Sequence, residues 1–173
     1  MPDADAFLAP VLDRAGAIAF RDMLRARGKI VVFTNGCFDV VHDGHTEYLA
    51  WARAQGDALI VGLNGDASVR ELKGPGRPLV LEADRAELLA AWRMVDAVTI
   101  FPDVRATAFL RAVQPDIYAK GGDYTVASLN AEEAEALREC GAVIEIVRLV
   151  KGKSTTKLVE KIAGNKISGA AKP

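Results

Sequence analysis

The sequence predicts an α/β fold built on a five-stranded parallel sheet. Three observations carry that expectation. Short runs rich in Val and Ile recur along the chain, apolar at successive positions, which is the pattern of strands buried on both faces. Between them lie stretches with apolar side chains at helical spacing, so strand and helix alternate. The first strand, loop, helix and second strand fit within residues 29–63, a span suited to a right-handed parallel crossover.

A leading helix is expected over residues 12–27, with Leu12, Ala15, Ala19, Phe20, Met23 and Leu24 on its apolar face and Gly28 as its stop. Residues 29–34 form the first strand, which ends in the turn-forming pair Asn35 and Gly36. A helix follows from about residue 46 to 55, then a second strand over 57–63. Residues 64–68 turn into a short helix that stops near Lys73. A Gly/Pro-rich loop, Lys73-Gly-Pro-Gly-Arg-Pro78, carries two cations. The next helix, 82–93, sets Leu88, Leu89 and Trp92 on one face, and Trp92 is read as core in preference to a base-stacking platform. Strands over 96–101, 116–120 and 143–147 and helices over 105–113 and up to about 140 continue the alternation. Residues 151–156 open a closing helix that runs to about 162, and the tail from 164 is small, polar and expected to fray. No repeat or linker interrupts this, so residues 1–163 are taken as one domain.

Composition narrows the function. With 22 basic and 23 acidic residues the net charge is −1, so no global field favours nucleic acid or an anionic membrane; phosphate recognition must come from local clusters. No apolar run reaches the roughly 20 residues that span a bilayer, and no basic, apolar leader opens the chain, so a cytoplasmic location is expected. Cys37 and Cys140 are too few for a disulfide framework and lack zinc-ligand spacing. Cys37 has no base beyond the histidines to activate it, which weighs against a covalent nucleophile.

The chemistry concentrates in residues 34–45. A strand that feeds a glycine-containing loop and then a helix places unpaired N–H groups and partial positive charge at the carboxyl edge of the sheet, a seat for phosphate. Gly36 and Gly44 permit close approach of backbone to a ligand. A histidine near a helix start is ordinarily a cap or a solvated side chain. Here the chain has two histidines in all, and both fall in the tetrapeptide His42-Asp-Gly-His45, on the same side of a first turn. Further polar loops follow the other strands: residues 64–66, Lys120 to Asp123, and Lys151 to Thr156. In a parallel sheet these all open on one edge. The Gly-Lys-Ser-Thr at 152–155 is not a P-loop, because the required first glycine would stand where Val147 is. It leaves a helix start at which Lys153, Ser154, Thr155 and Thr156 can hold an anion.

Taken together, the Gly-Cys-Phe-Asp and His-Asp-Gly-His runs, the basic loop at Lys73, Arg85 in the helix downstream and Ser-Thr-Thr before the last helix resemble the cytidylyltransferase-like nucleotidyltransferase superfamily. More narrowly, residues 33–161 are similar to the adenylyltransferases that act on D-glycero-β-D-manno-heptose 1-phosphate, which show F-T-N-G-C-F-D, L-K-G-P-x-R-P, V-D-x-V, K-G-G-D-Y and G-x-S-T-T in this order. The resemblance implies a Rossmann-like three-layer α/β/α fold and transfer of AMP from ATP to the sugar phosphate with release of pyrophosphate. It implies that His42 and His45 stabilise the transition state and that Lys73 and Arg85 hold the departing or acceptor phosphates. Thr34, Asn35, Gly36, Cys37, Phe38 and Gly44 would cradle phosphates, Ser154 to Thr156 with Lys153 would close on their far end, and Lys120, Gly122 and Asp123 would border the nucleotide or sugar. Asp123 could equally cap a helix. A magnesium ion bound by the phosphates is expected, with no protein metal cage, and the active unit is expected to be a homodimer. Because no kinase domain accompanies the motifs, a separate sugar kinase would supply the acceptor. The chain departs from the family pattern at Lys151, where an acidic residue is usual, and at Asp103-Val-Arg105, where D-T-P is frequent. The residues alone leave the base open: a cytidylyltransferase for glycerol 3-phosphate or a similar alcohol phosphate shares the same phosphate machinery, and a non-catalytic nucleotide-binding module shares the fold.

Overall fold

A computed structural model describes residues 7–121 and 129–147. Among the described residues six strands and six helices follow one another, alternating except where two helices join β3 to β4: β1 (Val11–Leu12), α1 (Arg14–Ala26), β2 (Val31–Gly36), α2 (Asp43–Arg53), β3 (Ala58–Asn64), α3 (Asp66–Lys73), α4 (Glu82–Ala90), β4 (Ala97–Phe101), α5 (Thr107–Val113), β5 (Ile117–Gly121), α6 (Ala131–Cys140) and β6 (Val143–Val147). All strands run parallel in the order β1-β4-β3-β2-β5-β6. From β2 the chain winds outward through β3 to β4, then returns to place β5 on the other side of β2. The carboxyl ends of β2 and β5 therefore diverge at a topological switch point, where open α/β sheets bind ligands.

The expected parallel α/β architecture holds, with six strands where five were expected. The extra strand is β1, two residues paired with Val98 and Thr99 of β4. Its brevity hides it from any periodicity, and its Leu12 had been assigned to the leading helix. That helix begins at Arg14 instead, where the Asp13 side chain accepts a hydrogen bond from Gly16 N at 2.7 Å and caps the first turn. Its inward face also differs, with Ala17 and Arg21 buried while Ala15, Ala19 and Met23 are exposed.

Two apolar layers cover the sheet. On one face α1, α5 and α6 pack Ala17, Phe109, Leu110 and Leu137 against Phe33, Ile60 and Tyr118. On the other, α2 and α4 pack Tyr48, Leu49, Ala86 and Leu89 against Val32, Val61 and Val98. Trp92 packs partly buried against this second layer, as expected of a core residue, whereas Leu88 is exposed. β3 is buried over its whole length, as a central parallel strand must be.

Candidate active site

β2 delivers the histidine loop to the switch point. Its last residue, Gly36, pairs with Leu63 of β3, and the chain then turns sharply through Phe38, which takes a left-handed φ of +45°. α2 begins three residues before the expected start. Its N-cap is His42, in extended conformation, so that Asp43, Gly44 and His45 form the first turn. The His42 backbone N–H donates to His45 Nδ1 at 3.2 Å, and the His45 N–H donates to His42 O at 2.9 Å. The two imidazole rings lie 4.0 Å apart, and the Phe38 ring stands 5.3 Å from His45.

This arrangement fixes the chemistry of His45. Burial, then the neighbouring His42 and Lys73, lower its pKa from 6.5 to about 4, so it is neutral at physiological pH. With Nδ1 accepting a backbone hydrogen bond, the proton resides on Nε2, leaving an N–H donor. In His42 the Nδ1 atom is buried without a hydrogen-bond partner among the described residues. Such a group is costly unless a ligand or water completes it.

Lys73, exposed at the end of α3, is close enough to act electrostatically on both His45 and the Cys37 thiol. α3 ends there because Gly74, at φ +93°, turns the chain as few other residues could. Asp39 holds the basic loop that follows. Its buried carboxylate accepts from Leu79 N at 2.6 Å, from Val80 N at 3.1 Å and from the Arg77 guanidinium. The sequence reading attached no role to Asp39 beyond its place in the motif. The acidic residue followed by a basic loop about 40 positions later was the available signal.

Two expectations from the sequence need correction. Arg85 does not present its guanidinium to a phosphate: its side chain is fully buried and donates to Val80 O, Cys37 O, Asn64 O and Asp66 Oδ1. It braces the histidine loop against β3 and the basic loop. Thr34 likewise faces inward, its hydroxyl bonded to the Tyr48 hydroxyl, which in turn donates to Ala119 O at 2.8 Å. It anchors α2 to β2 and β5, and its side chain cannot reach a nucleotide.

The remaining expected residues gather beside the loop. Asn35, Cys37 and Lys120 line a cleft of about 440 Å³ that continues along Leu72, Asn130 and Glu133. Lys120 donates to the Tyr118 hydroxyl, which donates to Asn35 Oδ1 at 2.7 Å; burial lowers the lysine's pKa. Burial likewise raises the Cys37 thiol, which removes the thiolate a nucleophile would need. Gly36 would bring a Cβ to 3.1 Å from the Phe38 ring, and Gly44 is buried in the first turn of α2. Gly122, Asp123, Lys153, Ser154, Thr155 and Thr156 lie outside the described residues, as does the expected closing helix. Among the described residues no cluster of three or more His, Cys, Asp or Glu side chains could hold a metal, and both oxygens of the Asp39 carboxylate are engaged by Arg77, Leu79 and Val80. No described helix is long and apolar enough to cross a membrane.

A parallel sheet with a histidine-bearing helix start at its switch point, flanked by a loop that carries lysine and arginine, defines a phosphate-handling α/β protein. The cytidylyltransferase-like family model matches residues 33–170, and the chain belongs to that family of nucleotidyltransferases. It is similar to "Bifunctional protein HldE" from Geotalea uraniireducens (strain Rf4), 48% identical over 161 residues that make up 93% of this chain and 32% of the relative. The protein of the same name from Pseudomonas entomophila (strain L48) is 47% identical over 141 residues, 82% of this chain and 29% of the relative. The chain thus spans about a third of the length of these curated relatives. Among solved structures, the lipopolysaccharide core biosynthesis protein from Thermoplasma volcanium GSS1 superposes with a TM-score of 0.60 at 28% identity, covering 73% of this chain and all of that one.

Proposed function

We propose that this nucleotidyltransferase transfers AMP from ATP to D-glycero-β-D-manno-heptose 1-phosphate, giving ADP-heptose and pyrophosphate. The observation that carries the transfer chemistry is the pair of imidazoles side by side at the start of α2, their centroids 4.0 Å apart, one neutral with its Nε2–H available and the other with an orphaned nitrogen. A phosphate oxygen of the acceptor attacks the α-phosphorus; that P–O bond forms as the bond to the bridging oxygen of the β-phosphate breaks, and pyrophosphate leaves. The nucleophile is already an anion, so no general base is needed. The protein must align the groups and neutralise charge that builds on the equatorial and leaving oxygens. His45 donates from Nε2, His42 binds beside it, and Lys73 takes the departing phosphates. Arg85 and Asp39 keep the loops that carry these groups in register. Lys120, with Gly122, Asp123, Lys153 and Ser154 to Thr156, completes the nucleotide and sugar contacts. A magnesium ion brought in by the triphosphate would supply charge neutralisation, with no described side chain assigned to hold it. A sugar kinase furnishes the acceptor, and the working unit is a homodimer.

The choice of acceptor rests on the five ordered motifs and on relatives that include a lipopolysaccharide core biosynthesis protein. A mass-spectrometric assay that pairs heptose 1-phosphate or glycerol 3-phosphate with ATP or CTP tests it. ADP-heptose from the first pairing is expected. Turnover only with CTP and the alcohol phosphate would replace this reading with the cytidylyltransferase one, and nucleotide binding without turnover of any pair would leave a binding module.

A further inference from the structure

The cleft next to the histidine loop has a wall whose chemistry is wrong for phosphate. Glu133, on the first turn of α6, is buried and lines the cleft; one carboxylate oxygen accepts the Ala106 N–H at 3.1 Å. A carboxylate can only accept hydrogen bonds, and it repels any phosphate oxygen that approaches. Beside it Asn130 has committed its Oδ1 to the N–H groups of Glu132 and Glu133, at 3.0 and 3.3 Å, so its amide can offer the cleft only donors. Asn35, which lines the same cleft, is committed in the same sense, its Oδ1 accepting from Tyr118, so that its amide N–H groups are the donors it can offer a ligand. An acceptor-only group flanked by donor-only groups is complementary to neighbouring hydroxyls, each of which gives one hydrogen bond and takes others. Leu72 and Leu129 add apolar surface for C–H faces.

We propose that this wall reads the hydroxyls of the acceptor, with Glu133 accepting from a diol and Asn130 donating to it, so that the pair selects a polyhydroxylated phosphate over a simple alcohol phosphate. The inference rests on the sugar-phosphate reading of the reaction and assigns the residues that enforce it. Lys120, which interacts electrostatically with Glu133, places the wall within reach of the phosphate-bearing edge.

Steady-state kinetics on Glu133→Gln test this, because the amide keeps an oxygen for Ala106 N while losing the charged acceptor. The KM for the sugar 1-phosphate is expected to rise about ten- to a hundredfold, the worth of a hydrogen bond to a charged group, with the KM for ATP unchanged. An unchanged acceptor KM, or equal rises for both substrates, would overturn the proposal. Should the variant melt early, the wild-type chain decides through a series of monodeoxy sugar 1-phosphates: one or two positions are expected to lose at least tenfold in kcat/KM, and equal use of the whole series would sink the idea. If heptose 1-phosphate proves not to be the acceptor but another polyol phosphate is turned over, the same comparisons on that acceptor judge the wall independently. Preference for a hydroxyl-free alkyl phosphate counts against it.

Discussion

Burial deprives His45 of its charge and thereby makes it a dependable donor. Its pKa of about 4 lies below the 6.5 of an exposed imidazole, chiefly through desolvation. The unfolded chain therefore takes up a proton as pH falls below 6.5 while the folded chain does not until about 4. The stability tied to neutral His45 is fully present above pH 6.5 and is lost as pH drops from there through 4. A thermal melting series across that window should show a falling midpoint, with a shallower slope in His45→Ala. That variant is expected to lose about 10²- to 10³-fold in kcat, as for one transition-state donor, and about 1 kcal/mol of stability with its cap bond. An unchanged kcat would remove His45 from the mechanism. At this scale the sequence singled out the histidines because both sit within one tetrapeptide. It misdirected Arg85 and Thr34 because residue type does not tell which way a side chain points. A guanidinium beside a phosphate site and one that gathers three backbone carbonyls are written with the same letter.

At the scale of elements, the position of α2 depends on one phenol. The Tyr48 hydroxyl links Thr34 on β2 to Ala119 on β5, and the ring lies where a Cβ on Gly121 would come within 2.7 Å. Tyr48→Phe leaves the Thr34 hydroxyl and the Ala119 carbonyl each short of a buried partner. Urea denaturation should register a loss of about 1–3 kcal/mol. A loss below 0.5 kcal/mol would show that α2 is held by packing alone. The order and type of the elements were legible, since apolar runs and helical spacing report local environment directly. Their ends were not. A histidine N-cap lacks the Ser, Thr, Asp or Asn that usually announces a helix, and Gly44 inside the first turn looks like loop, so α2 was placed late. β1 was missed because two residues carry no period.

At the scale of the whole molecule, alternation along the chain told of parallel pairing but not of strand order, which long-range contacts decide. The return of β5 to the flank of β2 is what opens the switch point beside the histidine loop. A ligand that binds only this assembled edge must stabilise the entire fold. ATP at a hundred times its Kd is expected to add about 2.7 kcal/mol, seen as a raised melting midpoint, and CTP at the same concentration less. No shift with either nucleotide would contradict the placement of the site. Asp39 and Arg85 give this edge a shared fate. The amides of Leu79 and Val80 are sealed by the Asp39 carboxylate, while the Val80 and Cys37 carbonyls are gripped by one guanidinium. Deuterium can therefore replace the Leu79 and Val80 amide hydrogens through a fluctuation that also loosens the histidine loop and the start of α4, so these amides are expected to exchange together with that loop as one cooperative unit.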